Sequence, residues 1–467
     1  MKNAILLSLL SSFIFSSCHR DKKPNIVYVL ADQWRAESLG YAGNPDVKTP
    51  NLDKLASESV SFSNAISTTP VCTPYRAMLQ TGQYALKNGM FMNDVTLNPE
   101  SVSFAKLFKK EGYNTAFIGK WHLDGNGRSA FIPKERRQGF DYWKVLECSH
   151  NYNNSSYWGN DDQKHMWEGY DAKAQTEDAI AYIEAQAKTE TPFTLVLSWG
   201  PPHAPYATAP KEFQEIYEDV NIDLKPNVPE HLTGKTKEIL KGYYAHCSTL
   251  DFYIKLLQDA IKRTNIEDNT IFIFTSDHGD LINSHDQMKK QRIYEESAKV
   301  PFIIKYPALF GTKELKSDFL LNTLDILPTM LGMSGIEIPA GLDGEDISDV
   351  ILGKKPDTRE ASLVSCPQPF GQWKRAKGGK EFRGVITKRY TYAKDLSGEW
   401  LFFDNLKDPF QLNNLTGNSA FESIAKNLDG LLNKELDRLG DDFLPGPAYL
   451  EKWGHTVDST GTVPYVN

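Results

Sequence analysis

The chain has 467 residues, of which 40% are hydrophobic and 24% are charged, a composition typical of a folded globular protein. This length is sufficient for one large domain and a smaller one. The formal net charge of -8 argues against a nucleic-acid-binding protein, because neutralising phosphates requires an excess of basic residues.

The N-terminal segment resembles a bacterial export signal. Lys2 precedes an apolar stretch over residues 4–15, which is too short to span a bilayer as a helix. Two serines then lead to Cys18, as at the acylation site of a lipoprotein, although Phe15 stands where Leu is usual. We expect residues 1–18 to be a lipoprotein-type signal peptide. The protein would then be exported in a Gram-negative bacterium, either periplasmic or attached to the outer membrane by a lipid on Cys18.

Apolar runs alternate with helical patterns over residues 24–365. The runs that suit strands buried on both faces of a parallel sheet cover residues 25–30, 193–199 and 270–275. The amphipathic patterns typical of helices cover residues 101–112, 172–188 and 237–262. This alternation predicts an α/β domain. Asp32 and Asp277 each follow an apolar run, so we expect them at the edge of the sheet where ligands bind in such folds.

The chain changes character near residue 365. Residues 366–380 are rich in Pro, Gly, Gln and Lys, as in a loop or linker. The short β-like runs that follow cover residues 382–387, 390–393 and 400–403. Leucines then recur at helical spacing from Leu428 to Leu439. Residues 366–467 are therefore predicted to form a smaller C-terminal α+β domain with an antiparallel sheet and a helix.

The cysteines at positions 72, 148, 247 and 366 show no regular disulfide spacing. We expect Cys148, Cys247 and Cys366 to be buried apolar side chains.

Five segments contain reactive and charged residues in a distinctive order. They are Ala31-Asp32-Gln33, Cys72-Thr73-Pro74-Tyr75-Arg76 with Thr81-Gly82, Gly119-Lys120-Trp121-His122, Pro202-His203-Ala204-Pro205-Tyr206, and Thr275-Ser276-Asp277-His278-Gly279-Asp280. In this order they resemble the type I sulfatases of the alkaline phosphatase superfamily. The resemblance extends from about Pro24 to Asp408-Pro409. It implies an alkaline-phosphatase-like α/β fold, in which helices flank a mostly parallel central sheet.

The resemblance implies that a sulfatase-maturing enzyme oxidises Cys72 to Cα-formylglycine. A thiolate is a poor nucleophile for this reaction, because the sulfur–sulfur adduct does not readily collapse. In the hydrated aldehyde, one hydroxyl attacks the sulfate sulfur and the other later expels sulfate by regenerating the aldehyde.

The resemblance also assigns roles to the surrounding residues. The implied metal ligands are Asp32, Gln33, Asp277 and His278, together with the modified Cys72. Gln33 departs from the commonest pattern, in which two Asp residues stand at positions 32 and 33. Oxygen ligands suit Ca²⁺, which we expect, and the imidazole leaves Mn²⁺ as the alternative. The implied catalytic and sulfate-binding residues are Arg76, Lys120, His122, His203 and Lys290, with Lys289 as an alternative to Lys290.

Residues in the loops between these motifs are candidates for contacting the rest of the substrate: Arg35, Asp94, Asp124 and His150. The run over residues 149–158 mixes His, Asn, Tyr and Trp, which suits sugar hydroxyls and ring faces. The expected activity is exo-acting removal of O-sulfate from a sulfated sugar. Galactose or N-acetylgalactosamine sulfate is the first choice of substrate and glucosamine sulfate the next.

Three alternatives stay open at this point. The pairs Asp32-Gln33 and Asp277-His278 also resemble those of phosphonate monoester hydrolases and related phosphodiesterases. A small-molecule arylsulfatase and a non-catalytic lipoprotein that binds sulfated glycans are the others.

Overall fold

The structure, a computed structural model, describes residues 22–465. The expected signal peptide, with Cys18, lies outside the described residues. Within residues 22–465, no helix combines the length and the apolar character needed to cross a membrane.

The strands found in this part of the chain are β1 (Asn25–Asp32), β2 (Val60–Phe62), β3 (Ala65–Ile66), β4 (Asn114–Lys120), β5 (Tyr142–Leu146), β6 (Ser156–Trp158), β7 (Lys164–Met166), β8 (Phe193–Pro202), β9 (Thr270–Ser276), β10 (Phe302–Lys305), β11 (Leu315–Ser317), β12 (Leu321–Asn322), β13 (Ser362–Cys366), β14 (Phe382–Ile386), β15 (Tyr390–Asp395) and β16 (Gly398–Asp404).

The α-helices found there are α1 (Pro50–Ser57), α2 (Cys72–Thr81), α3 (Ala85–Asn88), α4 (Phe104–Lys110), α5 (Asp171–Gln186), α6 (Lys211–Gln214), α7 (Thr233–Arg263), α8 (Glu295–Ala298), α9 (Pro307–Phe310), α10 (Ile326–Met333), α11 (Ser348–Ile351), α12 (Glu422–Leu439) and α13 (Gly446–Trp453).

Among the described residues, ten strands form one sheet in the order β11-β2-β10-β9-β1-β8-β4-β5-β6-β7. Strand β1 pairs in parallel with β8 and β9, and β4 and β5 continue the parallel run beyond β8. Strands β10 and β6 run antiparallel to their neighbours. The prediction of a mostly parallel central sheet flanked by helices is therefore confirmed.

Both faces of the central sheet are covered, which explains the continuous apolar runs in the sequence. Along β1, Ile26 and Tyr28 belong to one buried cluster and Val27 and Val29 to another, because successive side chains point to opposite faces. Helices α5 and α7 pack in the cluster that contains Val27. Helices α2, α4 and α10 pack in the cluster that contains Tyr28.

The C-terminal part contains the predicted antiparallel sheet and helix. Strands β13 to β16 pair in chain order, and β13 begins at Ser362, slightly before the change in composition. The buried residues Leu428, Leu432 and Leu436 of α12 belong to the same cluster as Tyr28 in β1. The two sheets are thus joined by one apolar core.

The cysteines of the described chain, at positions 72, 148, 247 and 366, are all buried and unpaired. Cys247 and Cys366 are each at most 3% exposed and belong to apolar clusters, as expected. Cys148 is also buried, but it lies outside the apolar clusters of the described residues and beside Lys120, His122 and His150, so the prediction of an apolar core side chain is wrong there.

Candidate active site

The residues of the five motifs gather at one edge of the sheet, beyond the carboxyl ends of adjacent parallel strands. Ala31 of β1 is in register with Ser276 of β9, so the next residues along each chain, Asp32 and Asp277, lie side by side. Lys120 ends β4 and His203 directly follows β8. The prediction that Asp32 and Asp277 meet at this edge is confirmed, and the position is the usual ligand site of an open α/β sheet.

Cys72 is the first residue of α2 and is 1% exposed. Its Sγ lies 2.9 Å from Nζ of Lys290, 3.2 Å from Nε2 of His278 and 3.8 Å from Oδ1 of Asp32. Pro74 is compatible with this first turn, where a backbone N–H has no partner within the helix. The N-terminal end of the helix dipole also favours a negative charge at residue 72.

Arg76 lies one helical turn after Cys72 and connects the acidic groups of the site. Its guanidinium donates to Oδ2 of Asp32 at 3.2 Å and to Oδ2 of Asp277 at 3.0 Å. It also donates to the carbonyl of Lys120 at 2.9 Å and to Oγ of Ser198 at 2.7 Å. One buried cation therefore holds together β1, β4, β8, β9 and α2.

Cations outnumber carboxylates around Cys72. Nζ of Lys120 lies 2.5 Å from Oδ2 of Asp32, and Lys290 contacts Cys72 directly. Burial and the Asp32 carboxylate would raise the pKa of the Cys72 thiol, but Lys120, Lys290 and His278 outweigh them and hold that pKa well below its usual value. Three cations, Arg76, Lys120 and Lys290, thus lie around the two carboxylates of Asp32 and Asp277. The excess of positive charge favours the binding of an anion.

The arrangement also fits a divalent cation. Potential ligand atoms of Asp32, Cys72, Asp277 and His278 all lie within 4.8 Å of one another, and all four residues are buried. Nδ1 of His278 is 2.9 Å from the carbonyl of Gly279. Because a carbonyl can only accept, Nδ1 carries a hydrogen, and Nε2 faces Cys72 and the carboxylates, where a bound metal ion would take the place of a proton on this nitrogen.

Gln33 supplies a further observation that fits a cation. Its side-chain Oε1 is buried and has no hydrogen-bond partner. Its backbone N–H donates to Oδ1 of Asp277 at 3.0 Å, with a left-handed φ of 70°. An unpartnered buried amide oxygen beside two carboxylates is the kind of group that a hard cation binds.

His203 lies at the mouth of the site and is 8% exposed. Its Nδ1 lies 2.9 Å from the carbonyl of Ala204, so this nitrogen bears a hydrogen. Burial, Lys290 and His150 hold the pKa of His203 well below its usual value, because each disfavours the charged ring. The ring of His150 stacks on that of His203 with a centroid distance of 4.2 Å.

His122 belongs to a charged chain on the other side of Cys72. Its Nε2 lies 3.4 Å from Oδ1 of Asp94, and Arg128 donates to both oxygens of the same carboxylate at 3.0 and 2.9 Å. Burial alone would lower the pKa of His122, but Cys148 and Asp94 raise it to about 10. A protonated imidazole can orient an oxygen at residue 72 by donating to it, and it cannot act as a base.

The remaining candidate residues are held by bonds within the protein. Arg35 donates to the carbonyls of Asp280 and Leu281. Asp124 is 1% exposed and accepts two bonds from Arg136, at 2.6 and 3.1 Å. Their contact with a substrate stays a prediction.

Of the two neighbouring lysines, Lys290 is the one whose amine contacts Cys72. Lys289 has a left-handed φ of 67°, and its backbone N–H donates to Oδ1 of Asp280 at 2.9 Å.

Two polar residues of the site were not assigned from the sequence. Asp280 accepts a hydrogen bond from Tyr206 at 2.5 Å, although 74 positions separate them. Both belong to motifs that the sequence analysis singled out, so the motifs located them. Their pairing could not be recognised, because nothing local to either segment specifies it.

The chain is similar to sulfatases over nearly its whole length. The family model "Sulfatase" matches residues 24–336, and "N-sulphoglucosamine sulphohydrolase, C-terminal" matches residues 283–438. An ulvan-active sulfatase of Formosa agariphila is 46% identical, over 98% of this chain and 92% of that protein. An endo-4-O-sulfatase of Bacteroides thetaiotaomicron is 29% identical, over 89% and 92% respectively.

Among solved structures, a putative sulfatase of Bacteroides fragilis superposes with a TM-score of 0.83. Its sequence is 30% identical, and the match covers 92% of this chain and 98% of that one.

Proposed function

The chain belongs to the sulfatase family and is a sulfuric ester hydrolase, and from this premise we propose that it removes O-sulfate from a sulfated carbohydrate with residue 72 as the nucleophile. Family membership agrees with the resemblance predicted from the Cys72 to Arg76 motif. The observation that carries the proposal is the position of Cys72, at the start of α2 between Lys290, His278 and Asp32.

We propose that Cys72 acts as Cα-formylglycine. The hydrated aldehyde supplies an oxygen nucleophile at this position. His122 donates a hydrogen bond that orients this oxygen, and Asp94 fixes the ring of His122. The cations that lower the pKa of the thiol, Lys120 and Lys290, would stabilise an alkoxide at the same place for the same electrostatic reason.

Lys120, Lys290 and His203 are proposed to bind the sulfate group. Lys120 and Lys290 supply positive charge beside residue 72, and the ring of His203 lies close enough to both lysines for their charges to act on it. A bound sulfate also changes the state of His203. Burial and Lys290 keep its ring neutral without a substrate, and an anion beside the ring favours protonation. His203 would thus become a general acid for the leaving oxygen only when the substrate is present.

Asp32, Gln33, Asp277 and His278, with residue 72, are proposed to hold a divalent cation, with Ca²⁺ favoured and Mn²⁺ the alternative. Such an ion, when bound, lowers the pKa of the nucleophilic hydroxyl and polarises the sulfate. In the described structure Arg76 and Lys120 neutralise the same carboxylates. The chain's own residues therefore keep the two acidic side chains together at this edge.

The proposed substrate is a sulfated sugar at a chain end, with galactose or N-acetylgalactosamine sulfate first and glucosamine sulfate next. The name of the 46% identical relative, an ulvan-active sulfatase, supports a sulfated carbohydrate as the substrate class, and the order of the sugars rests on the sequence resemblance. Further support comes from the loop over residues 149–158, whose His150 stacks on His203 and whose Asn153 is exposed. An exposed amide and a half-buried imidazole close to His203 suit the hydroxyls of a sugar.

Two measurements test this proposal. Expression with and without a sulfatase-maturing enzyme, followed by peptide mass spectrometry, should show residue 72 lighter than Cys by about 18 daltons only in the first case. The matured protein should release sulfate from sulfated monosaccharides or oligosaccharides and leave a phosphonate monoester intact. Preferential turnover of the phosphonate ester would instead support the alternative activity. Binding of sulfated glycan with unmodified Cys72 and no turnover would support a glycan-binding lipoprotein.

We also propose that the protein is exported and attached to a membrane by a lipid on Cys18. The support is the sequence pattern of residues 1–18. Labelling with a radioactive fatty acid should mark the wild-type protein and not the Cys18→Ala variant. Equal labelling of both would contradict the proposal.

A further inference from the structure

The carboxylate of Asp280 is buried behind the site and accepts four hydrogen bonds. Its Oδ2 accepts from Nε2 of Gln33 and from the hydroxyl of Tyr206, both at 2.5 Å. Its Oδ1 accepts from the backbone N–H groups of Lys289 at 2.9 Å and Ile282 at 3.2 Å. The side chain is fully buried, and these four bonds use the full accepting capacity of a carboxylate.

The donors come from three separate segments that supply the proposed catalytic groups. Gln33 directly follows Asp32 at the end of β1. Tyr206 is three residues after His203 in the loop that follows β8. The N–H of Lys289 belongs to the segment that carries Lys290. A single carboxylate therefore connects the cation site, the candidate acid and one of the sulfate-binding lysines.

We propose that Asp280 is the positioning residue of this site, and that it presents Oε1 of Gln33 as a ligand for the divalent cation. The inference rests on the proposed function, because it concerns the cation that the sulfatase reaction is proposed to use. Asp280 itself contacts neither the cation nor the substrate. It acts through the amide of Gln33 and the hydroxyl of Tyr206.

The chemistry of the pair determines which way the amide of Gln33 faces. A carboxylate only accepts hydrogen bonds, so the NH₂ group of Gln33 must face Asp280. The other end of the amide, Oε1, is then left buried without a partner, as the structure shows. Burying a carbonyl without a partner is unfavourable, and a cation beside Asp32 and Asp277 would satisfy it.

The same pair explains why position 33 carries an amide. A carboxylate at this position would face Asp280 across a hydrogen-bond distance, and two like charges so close repel each other strongly. With Gln33 the negative charge stays on Asp280, one hydrogen bond further from the cation site. One of residues 33 and 280 must therefore be an amide and the other an acid. We expect the pair to tolerate an exchange of the two groups between the positions better than a change at position 280 alone.

Interchanging them gives a sharp test. In Asp280→Asn, the new NH₂ faces that of Gln33, so Gln33 must rotate and turn its own NH₂ toward the cation site. In the double variant Gln33→Glu/Asp280→Asn, the introduced amide donates to one oxygen of the introduced carboxylate, whose other oxygen is directed inward. Both variants keep an acceptor for the backbone N–H groups of Ile282 and Lys289.

The measurement is the Ca²⁺ or Mn²⁺ concentration that gives half of the cation-induced rise in melting temperature, in the full-length protein without substrate. We expect Asp280→Asn to raise this midpoint by about 10-fold or more, the usual effect of losing a residue that orients a metal ligand. The double variant should recover most of the loss. Asp251→Asn is the matched control, because Asp251 is also buried and accepts from Asn51 and Leu52, in contact with none of the site residues.

The control should lower the melting temperature and leave the cation midpoint unchanged. The proposal is overturned if Asp280→Asn leaves the cation midpoint unchanged, or if the double variant has a midpoint as high as that of Asp280→Asn. It is also overturned if the cation does not raise the melting temperature of the wild type. If Asp280→Asn does not fold, recovery of folded protein by the double variant supports it. Failure of both while Asp251→Asn folds shows a purely structural role. A wild type that binds cation but cleaves no sulfate ester refutes the proposed function instead.

Discussion

At the scale of single residues, the site depends on a charge balance centred on Arg76. Its side chain is 3% exposed, and it donates to the carboxylates of Asp32 and Asp277 at once. Two adjacent buried carboxylates repel each other unless a cation lies between them. Arginine suits this position because its planar guanidinium keeps several donors in fixed directions, which lysine cannot do.

The first prediction replaces Arg76 by Lys. We expect Arg76→Lys to lower the free energy of unfolding by about 2–4 kcal/mol and to abolish most sulfate release, because two carboxylates lose their shared donor. Urea unfolding and sulfate release measure the two effects. Arg263→Lys is the control, since Arg263 also donates two bonds to one acid, Glu184, but on the surface. An equal loss of stability in both variants would contradict the role of Arg76.

The second prediction concerns Asp171, a carboxylic acid 4% exposed at the start of α5. Burial raises its pKa from 3.8 to about 8. The folded protein therefore keeps a proton that the unfolded chain has already lost, so this residue makes the free energy of unfolding decrease as the pH rises from about 4 to about 8. Each pKa unit that separates the two states corresponds to about 1.4 kcal/mol.

Asp171→Asn removes this titration. We expect the variant to gain stability relative to the wild type between pH 5 and pH 8, as measured by urea unfolding at both values. Parallel pH dependences of the two proteins would show that Asp171 is ionised in the folded state.

At the scale of elements, the sequence predicted the long apolar strands β1, β8 and β9 and the C-terminal strands β14 to β16, and it missed several short or partly polar strands of the central sheet. Strands β1, β8 and β9 were predicted because both faces of each are buried. Strand β4 lies between β8 and β5 in the sheet, yet its sequence begins at the exposed Asn114 and contains a glycine, which weakens the pattern. The Gly-Lys-Trp-His motif identified Lys120 as a site residue, but the sequence did not predict that Lys120 ends a strand of the central sheet.

The motifs located the residues of the site, whereas the bonds between them were unpredictable. The position of Cys72 at the first turn of a helix was not predicted, although Pro74 is compatible with that turn. That Arg128 holds Asp94, or that Arg35 donates to the carbonyl of Asp280, depends on contacts between distant segments. Such contacts follow from the packing of the whole chain, and no local pattern encodes them.

The third prediction concerns Gly119, next to Lys120 in β4. Its φ of 102° is accessible to glycine, and an added Cβ would lie 2.1 Å from the backbone carbonyl oxygen of Ser198. Because a backbone oxygen of the neighbouring strand β8 cannot move aside, Gly119→Ala must separate β4 from β8 or fail to fold. We expect a loss of more than about 4 kcal/mol of stability, as for other severe steric conflicts in a core.

Gly112→Ala is the matched control, since Gly112 has a φ of 85° and open space around the position of a Cβ. Only backbone strain of about 1–2 kcal/mol is expected there. Urea unfolding of both variants separates the cost of backbone strain from that of the steric collision. Equal losses of stability in the two variants would argue against the collision at Gly119.

At the scale of the whole molecule, the C-terminal sheet is joined to the catalytic part by buried polar contacts as well as by the shared core. The carboxylate of Asp441 accepts hydrogen bonds from Arg383 of β14 at 3.1 Å, from Tyr84 at 2.9 Å and from Tyr449 of α13 at 2.8 Å. Tyr84 lies only a few residues beyond α2, the helix that begins with Cys72. The last segment of the chain is therefore connected to the residues that directly follow α2.

The fourth prediction tests whether the two sheets unfold together. Asp441→Asn leaves Arg383, a fully buried cation, without its counter-ion, which should lower the free energy of unfolding by about 3–5 kcal/mol. Because residues of both parts share one core, we expect a single transition in which secondary structure and sulfatase activity are lost at the same urea concentration. Asp437→Asn, at an exposed position of α12 four residues earlier, should change stability by less than about 0.5 kcal/mol. If Asp441→Asn instead unfolds in two steps and keeps its activity after the first, the C-terminal sheet is an independent unit, and its contacts do not support the active site.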